Sequence, residues 1–117
     1  MADLEKHRRE TEIYGIDFQD PGGNNIDEDG GETLTGGTAN VTVTKVDSDG
    51  VWQDKTTEFG SLGESISGTQ VNFTLNAASN DSEQVAGTYY IIAEVDTSES
   101  RHLAEIATLD VIDIADV

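Results

Sequence analysis

The sequence contains no cysteine and a single proline, and only 6 of its 117 residues are lysine or arginine. Without cysteine the chain has no disulfide bridge, no thiolate zinc site and no cysteine nucleophile. No apolar run approaches the roughly 18 residues of a membrane-spanning helix, and the first ten residues contain no apolar segment of the kind found in signal peptides. These absences predict a soluble protein that is made in the cytoplasm.

Acidic residues dominate the charge of the chain. It carries 24 Asp and Glu against 6 Lys and Arg, a formal net charge of −18. Nucleic acids and anionic membranes are bound by clusters of Lys and Arg, so neither is predicted as a partner. The anions are spread from Asp3 to Asp116 between regularly spaced apolar residues, which argues against a disordered acidic tail. Few lysines together with many Asp, Glu and Thr resemble the composition of proteins from salt-loving archaea.

Residues 1–12 differ from the rest because half of the cations lie there, at Lys6, Arg8 and Arg9. The segment holds three positive and four negative residues, a net charge of −1, which leaves −17 for residues 13–117. It is too short to form a stable helix alone. We therefore predict an extended N-terminal arm, either frayed or ordered on a neighbouring subunit, with Lys6, Arg8 and Arg9 as its interface residues.

From residue 13 onwards, apolar and polar residues alternate with a period of two, as in half-buried β-strands. Turn-forming residues separate the alternating stretches, and residues 59–66 are expected to form a weakly regular connection. No helix is expected after the arm. The pattern predicts one all-β domain, residues 13–117, with an immunoglobulin-like antiparallel β-sandwich fold. It predicts about seven short strands, near residues 13–18, 34, 41–46, 51–57, 71–75, 88–95 and 102–114.

One loop resembles the first half of a calcium-binding loop. Asn25, Asp27 and Asp29, followed by Gly30, match the pattern in which alternate oxygen ligands turn around one cation. The bidentate glutamate expected at the end of such a loop is replaced by Gly36. The alternatives are therefore a site for calcium or another hard cation, with Asn25, Asp27 and Asp29 as ligands, and a solvated acidic loop. No other cofactor is predicted.

The sequence offers no catalytic constellation. His7 and His102 lie in the arm and at a turn, without the neighbours of a catalytic triad or a metal site, and there is no phosphate-binding glycine loop. No catalytic residue is assigned, and the chain is not predicted to be an enzyme. The only tryptophan, Trp52, is interpreted as core filler between the two sheets, the alternative being an anchor residue at an interface.

The last third of the chain carries a family resemblance. Residues 68–75 (GTQVNFTL), 86–95 (AGTYYIIAEV), 96–101 (DTSESR) and 109–111 (LDV) resemble, in that order, the strands and a turn of small virion structural proteins of tailed phages. These proteins form the fibre–tail adaptor or head-associated family. The opening YGIDF at 14–18 resembles the first strand of that family. Where the family has glycine in the turn, this chain has Ser100.

The resemblance implies an immunoglobulin-like virion component without enzymatic activity, and with the acidic composition it implies a tailed virus of haloarchaea. Such a protein is made in the host cytoplasm and assembles with capsid, portal or connector, or tail proteins, and a homo-oligomer is expected. It would lie on the capsid shell or its turrets, or at the head–tail or tail-fibre junction, held through its arm and sheet edges. The alternative function is an immunoglobulin-like ligand- or calcium-binding module of a halophilic surface protein.

The acidic composition predicts a protein whose stability depends on salt. Repulsion among the 24 acidic side chains destabilises the compact state. Salt weakens this repulsion, because the Debye length falls from about 10 Å at about 0.1 M to about 3 Å at about 1 M ionic strength. The melting temperature, followed by far-ultraviolet circular dichroism, is expected to rise between about 0.1 M and about 3 M salt. An unchanged melting curve would contradict a halophilic origin.

Overall fold

A computed structural model describes residues 3–18, 34, 36–68, 70–80, 82–96 and 102–112. Within them the chain forms eight strands and one short 3-10 helix, Thr56–Phe59. None of the described residues belongs to a helix long and apolar enough to cross a membrane. The strands are β1 (Asp3–His7), β2 (Glu12–Asp17), β3 (Thr38–Val46), β4 (Trp52–Asp54), β5 (Ser65–Ser67), β6 (Gln70–Leu75), β7 (Gly87–Asp96) and β8 (His102–Ile112).

The strands form two sheets packed face to face. The five-stranded sheet has the order β1-β8-β7-β3-β4, and the three-stranded sheet has the order β2-β6-β5. Neighbouring strands run antiparallel, except that β1 and β8 pair in parallel. The strands β2 to β8 follow the B-to-G order of an immunoglobulin domain, with β4 as the additional strand beside β3. The predicted all-β, immunoglobulin-like sandwich is confirmed.

The two-residue period explains which side chains fill the core. Along β6 and β7 every second residue is buried, because successive side chains of a strand point to opposite faces. Leu34 and Leu62 reach the same core from outside the strands, although a strand was predicted near Leu34. The largest members of the core are Phe18, Phe59, Phe73 and Tyr89.

Two strands, β1 and β5, lie where the sequence predicts none. The strand β5 has only one apolar residue, Ile66, which pairs with Val71 of β6, and three residues are too few to show a period. The strand β1 lies inside the predicted arm, so residues 3–12 belong to the sandwich, and this corrects the expectation of a separate arm. The chain crosses from one sheet to the other through residues 8–11. Beside this crossing, the hydroxyl of Tyr14 in β2 lies 2.5 Å from the backbone oxygen of Glu5 in β1 and so links the two sheets.

The side chain of Lys6 in β1 is buried and surrounded by oxygen acceptors. Its Nζ donates to Oε1 of Gln84 at 2.7 Å and to the carbonyl oxygen of His7 at 3.0 Å, and the carbonyl oxygen of Arg8 lies 3.5 Å away. Three acceptors match the three protons of an ammonium group. Nζ also lies 5.9 Å from the ring centroid of Phe59. Removal from water lowers the pKa of Lys6 to about 8.

Arg8 and Gln84 extend these contacts into a network. Arg8 donates to the carbonyl oxygens of Asn80, Glu83 and Gln84 at 3.1, 2.6 and 3.3 Å. Gln84 donates to Glu58 twice, from its backbone N–H to Oε1 at 2.8 Å and from Nε2 to the carbonyl oxygen at 2.9 Å. The backbone of Gln84 has φ +53°, which is uncommon for a residue other than glycine. The hydrogen bonds to Glu58 hold the backbone of Gln84 in this conformation. We call Lys6, Arg8, Glu58 and Gln84 the Lys6–Gln84 network, which joins β1 to the 3-10 helix and to the loop before β7.

Tyr89 fixes the start of β7. Its hydroxyl donates to the carbonyl oxygen of Val85 at 2.7 Å, and its ring packs edge-on against Phe59 with the ring centroids 5.7 Å apart. A tyrosine at this corner whose hydroxyl bonds to upstream backbone is a feature of immunoglobulin sandwiches. Burial raises the pKa of Tyr89 to about 12, so the hydroxyl remains a neutral donor at neutral pH.

The lowered pKa of Lys6 predicts a pH dependence of stability. The pKa is 10.5 in the unfolded chain and about 8 in the fold. Between these values the unfolded state binds more protons, so Lys6 makes the free energy of unfolding rise with pH from about 8 to about 10.5. We expect the free energy of unfolding of the unmodified protein, minus that of Lys6→Met, to increase across this window in urea titrations. Methionine does not titrate, so a constant difference would contradict the burial of a charged amine.

The hydrogen bond from Tyr89 to Val85 predicts that removal of the Tyr89 hydroxyl lowers the stability of the fold. Tyr89→Phe keeps the ring contact with Phe59 but removes the donor to Val85, and we expect the free energy of unfolding to fall by about 1 kcal/mol. Tyr90→Phe is the matched control, because the Tyr90 hydroxyl forms no hydrogen bond within the described residues. Urea unfolding measures both variants. Equal losses of stability in the two would show that the corner bond is unimportant.

Candidate interaction surface

Two sequence features of interest fall outside the residues that the structure describes. They are the predicted cation loop at Asn25, Asp27 and Asp29, and residues 97–101 of the turn that carries part of the family resemblance. In the described part of the chain, no group of three or more His, Asp or Glu side chains is arranged to hold a metal ion. The candidate site is therefore built from the strands and their connections.

The three cations predicted as interface residues have different surroundings. Lys6 and Arg8 are 0% and 4% exposed, and both donate to oxygens of their own chain. The structure therefore does not present these two side chains to a neighbouring subunit, whereas Arg9 is exposed. The physical reason is the pairing of β1 with β8: Lys6 lies opposite Val111, a buried core residue, and so shares its inward-facing position.

Trp52 lies on the outer face of the five-stranded sheet and is 56% exposed, so its interpretation as core filler is wrong. It is the first residue of β4 and pairs with Val46 of β3. Because β3 directs Val41 and Val43 into the core, the alternation along the strand turns Val46 outward. The indole beside Val46 therefore faces solvent as well.

Further apolar side chains surround Trp52 on this outer face. The ring centroid of Tyr90 in β7 lies 5.2 Å from that of Trp52, with the planes inclined at 50°. Two residues further along β7, Ile92 pairs directly with Ile106 of β8, which is 46% exposed. We call Trp52, Tyr90, Ile92 and Ile106 the Trp52 patch. An aromatic and aliphatic centre on a sheet face is typical of the buried middle of protein interfaces.

Acidic residues border the Trp52 patch at both ends. Glu94 and Asp96 follow Ile92 on the same face of β7, and Asp54 follows Trp52 on β4. Near the C-terminal end of β8, Asp110 accepts a hydrogen bond from the hydroxyl of Thr88 at 3.0 Å. The patch is thus an apolar area inside a negatively charged rim.

His102 lies beside this rim, between two carboxylates that the sequence analysis did not connect with it. Its Nδ1 lies 2.7 Å from Oδ1 of Asp96, and its Nε2 lies 2.9 Å from Oε2 of Glu94. The hydrogen bond to Asp96, with the charges of both carboxylates, raises the pKa of His102 above its usual range. Both ring nitrogens are occupied, which favours a protonated surface histidine over a metal ligand or a general base.

Tyr90 and Ile92 are the surface residues that the sequence analysis missed, although a signal was present. The two-residue period of a half-buried strand places Tyr89, Ile91, Ala93 and Val95 on one face and treats the opposite face as polar. The run from Tyr89 to Ala93 is apolar at every position, and a continuous apolar run is typical of strands whose two faces are both covered. In this chain the second face of β7 carries the Trp52 patch.

Comparison with known proteins adds no family assignment. No protein-family model matches the chain, and no curated protein sequence matches it. The immunoglobulin-like fold hosts many unrelated functions, so the fold does not define one here. The function must be argued from the surface that the fold builds.

Proposed function

We propose that this chain is a non-enzymatic structural component of the particle of a tailed virus, and that it docks onto another particle protein through the Trp52 patch. The observation that carries the proposal is the half-exposed Trp52, packed against Tyr90 beside Ile92 and Ile106. Contiguous apolar patches on a protein surface mark interaction sites, and tryptophan and tyrosine are enriched among the residues that contribute most to binding. The resemblance of the last third of the chain to small virion proteins supports a particle component.

The charge around the patch favours a partner of different composition. Two copies placed face to face would bring Glu94, Asp54 and Asp110 near like charges, and each copy carries a net charge of −18. A capsid, portal or connector, or tail protein with an apolar area bordered by Lys and Arg would complement both the centre and the rim. A homo-oligomer would form instead through sheet edges, because β1 and β5 each have one neighbour among the described strands.

The proposal is tested on particles purified from producing cells. Mass spectrometry of the particles is expected to detect this protein, and Trp52→Glu is expected to reduce its copies per particle by more than about tenfold. A tryptophan buried at an interface commonly contributes about 2 kcal/mol or more, and glutamate would add a charge to that centre. Trp52 packs outside the core, so the variant should melt close to the unmodified protein.

Ile13→Glu is the matched control for this experiment. Ile13 is 76% exposed on β2, in the three-stranded sheet, so the substitution makes the same change in charge on the other side of the sandwich. We expect its incorporation to be normal. Absence of the protein from particles would exclude a virion role, and equal losses in the two variants would exclude the Trp52 patch as the docking surface.

A further inference from the structure

A cleft of about 370 Å³ lies beside the β3–β4 hairpin, away from the Trp52 patch. Its walls include Lys45, Gln53, Lys55, Val85 and Tyr89. Lys45 and Gln53 are opposite each other in β3 and β4. They alternate with Val46 and Trp52, so they extend from the other face of the same hairpin.

This cleft contains two of the six cations of the chain, Lys45 and Lys55. The same lining includes two carboxylates, Asp47 and Glu58, so Lys45 attracts an anion only where these carboxylates are engaged by other donors.

Lys45 has no carboxylate partner within the part of the chain that the structure describes. Its Nζ lies 4.8 Å from the ring centroid of Tyr89, and this cation–π contact is its only charge interaction there. Lys55, in contrast, pairs with Oε2 of Glu58 at 3.6 Å. No acidic residue of the described part of the chain therefore pairs with the ammonium of Lys45.

Asp47 is the first of two acids in the cleft that could have neutralised Lys45, and its oxygens are already occupied. Oδ1 accepts the backbone N–H groups of Asp49 and Val51, both at 2.9 Å, and Oδ2 accepts Nε2 of Gln53 at 3.0 Å. These hydrogen bonds lower the pKa of Asp47, the bond from Val51 most strongly. The carboxylate therefore stabilises the hairpin turn and is held away from the ammonium of Lys45.

Glu58 is the second acid, and it is held by the Lys6–Gln84 network. Its Oε1 accepts the backbone N–H of Gln84 at 2.8 Å, and its Oε2 faces Lys55. Asp47 and Glu58 are thus both held by other donors. Among the described residues, the ammonium of Lys45 therefore keeps its hydrogen-bonding capacity for a ligand.

We propose that the cleft binds a carboxylate group, with Lys45 as the donor and with Val85 in contact with the apolar carbons beside that carboxylate. Val85 is 52% exposed, so the cleft offers an apolar wall to solvent next to the cation. A singly charged carboxylate fits better than a doubly charged phosphate, because Asp47, Glu58 and the net charge of −18 repel each additional negative charge. This site is separate from the docking surface proposed above and does not depend on it.

The carboxylate could come from a small organic acid or from an acidic side chain of a polypeptide, and two probes distinguish these sources. Full-length protein labelled with ¹³C and ¹⁵N is titrated with benzoate, and separately with the capped peptide acetyl-Val-Asp-Val-amide. We expect saturable shifts of the Lys45 Cε and Tyr89 ring resonances. Tighter binding of benzoate indicates a small acid, and tighter binding of the peptide indicates a polypeptide. Benzamide and the corresponding Asn peptide are neutral controls and should bind more weakly by about tenfold or more.

Two lysine variants test the role of Lys45. Lys45→Met and Lys55→Met make the same change in net charge within the same cleft, so general electrostatics affects them similarly. We expect Lys45→Met to weaken carboxylate binding by more than about tenfold, and Lys55→Met to weaken it much less because that ammonium is already paired. Equal losses in the two variants, equal binding of the neutral controls, or no saturable shift with either carboxylate would each overturn the proposal.

Discussion

The buried hydrogen bond between Lys6 and Gln84 joins two residues that are 78 positions apart, and much of the structure depends on it. An ammonium group removed from water is unfavourable unless oxygen acceptors surround it, and only the folded chain brings these acceptors together. Gln84 in turn holds Glu58 and the loop that leads to Tyr89. The same interaction therefore attaches the edge strand β1, sets the corner of the sandwich and keeps Glu58 away from Lys45.

The five-stranded sheet uses its two faces for different purposes. The inner face packs against the three-stranded sheet and provides stability, because its apolar side chains are removed from water. The outer face carries the Trp52 patch, whose apolar centre is not covered by any described residue of the chain. In a salt-rich medium the acidic rim would be screened within a few ångströms, whereas excluded salts strengthen apolar association. An apolar docking surface therefore suits a strongly acidic protein in such a medium.

The β3–β4 hairpin connects the two proposed sites. Trp52 and Val46 face one side of the hairpin, and Lys45 and Gln53 face the other. One surface is apolar with an acidic border, and the other is a small cleft in which Lys45 has no carboxylate partner among the described residues. Because the two sites use alternate residues of the same strands, a substitution at one leaves the side chains of the other in place.

The alternation of residues along the chain was enough to predict the fold class and most strands. The strand predicted at 88–95 is observed as Gly87–Asp96, and the one predicted at 102–114 is observed as His102–Ile112. The sequence alone did not reveal that Lys6 is buried, that Trp52 is exposed or that His102 lies between two carboxylates. A local period shows which residues share a face of a strand. Which face is covered, and which side chains meet across it, is decided by strand pairing in the folded chain, since β1 pairs with the distant β8 and Trp52 of β4 pairs with the outward-facing Val46 of β3.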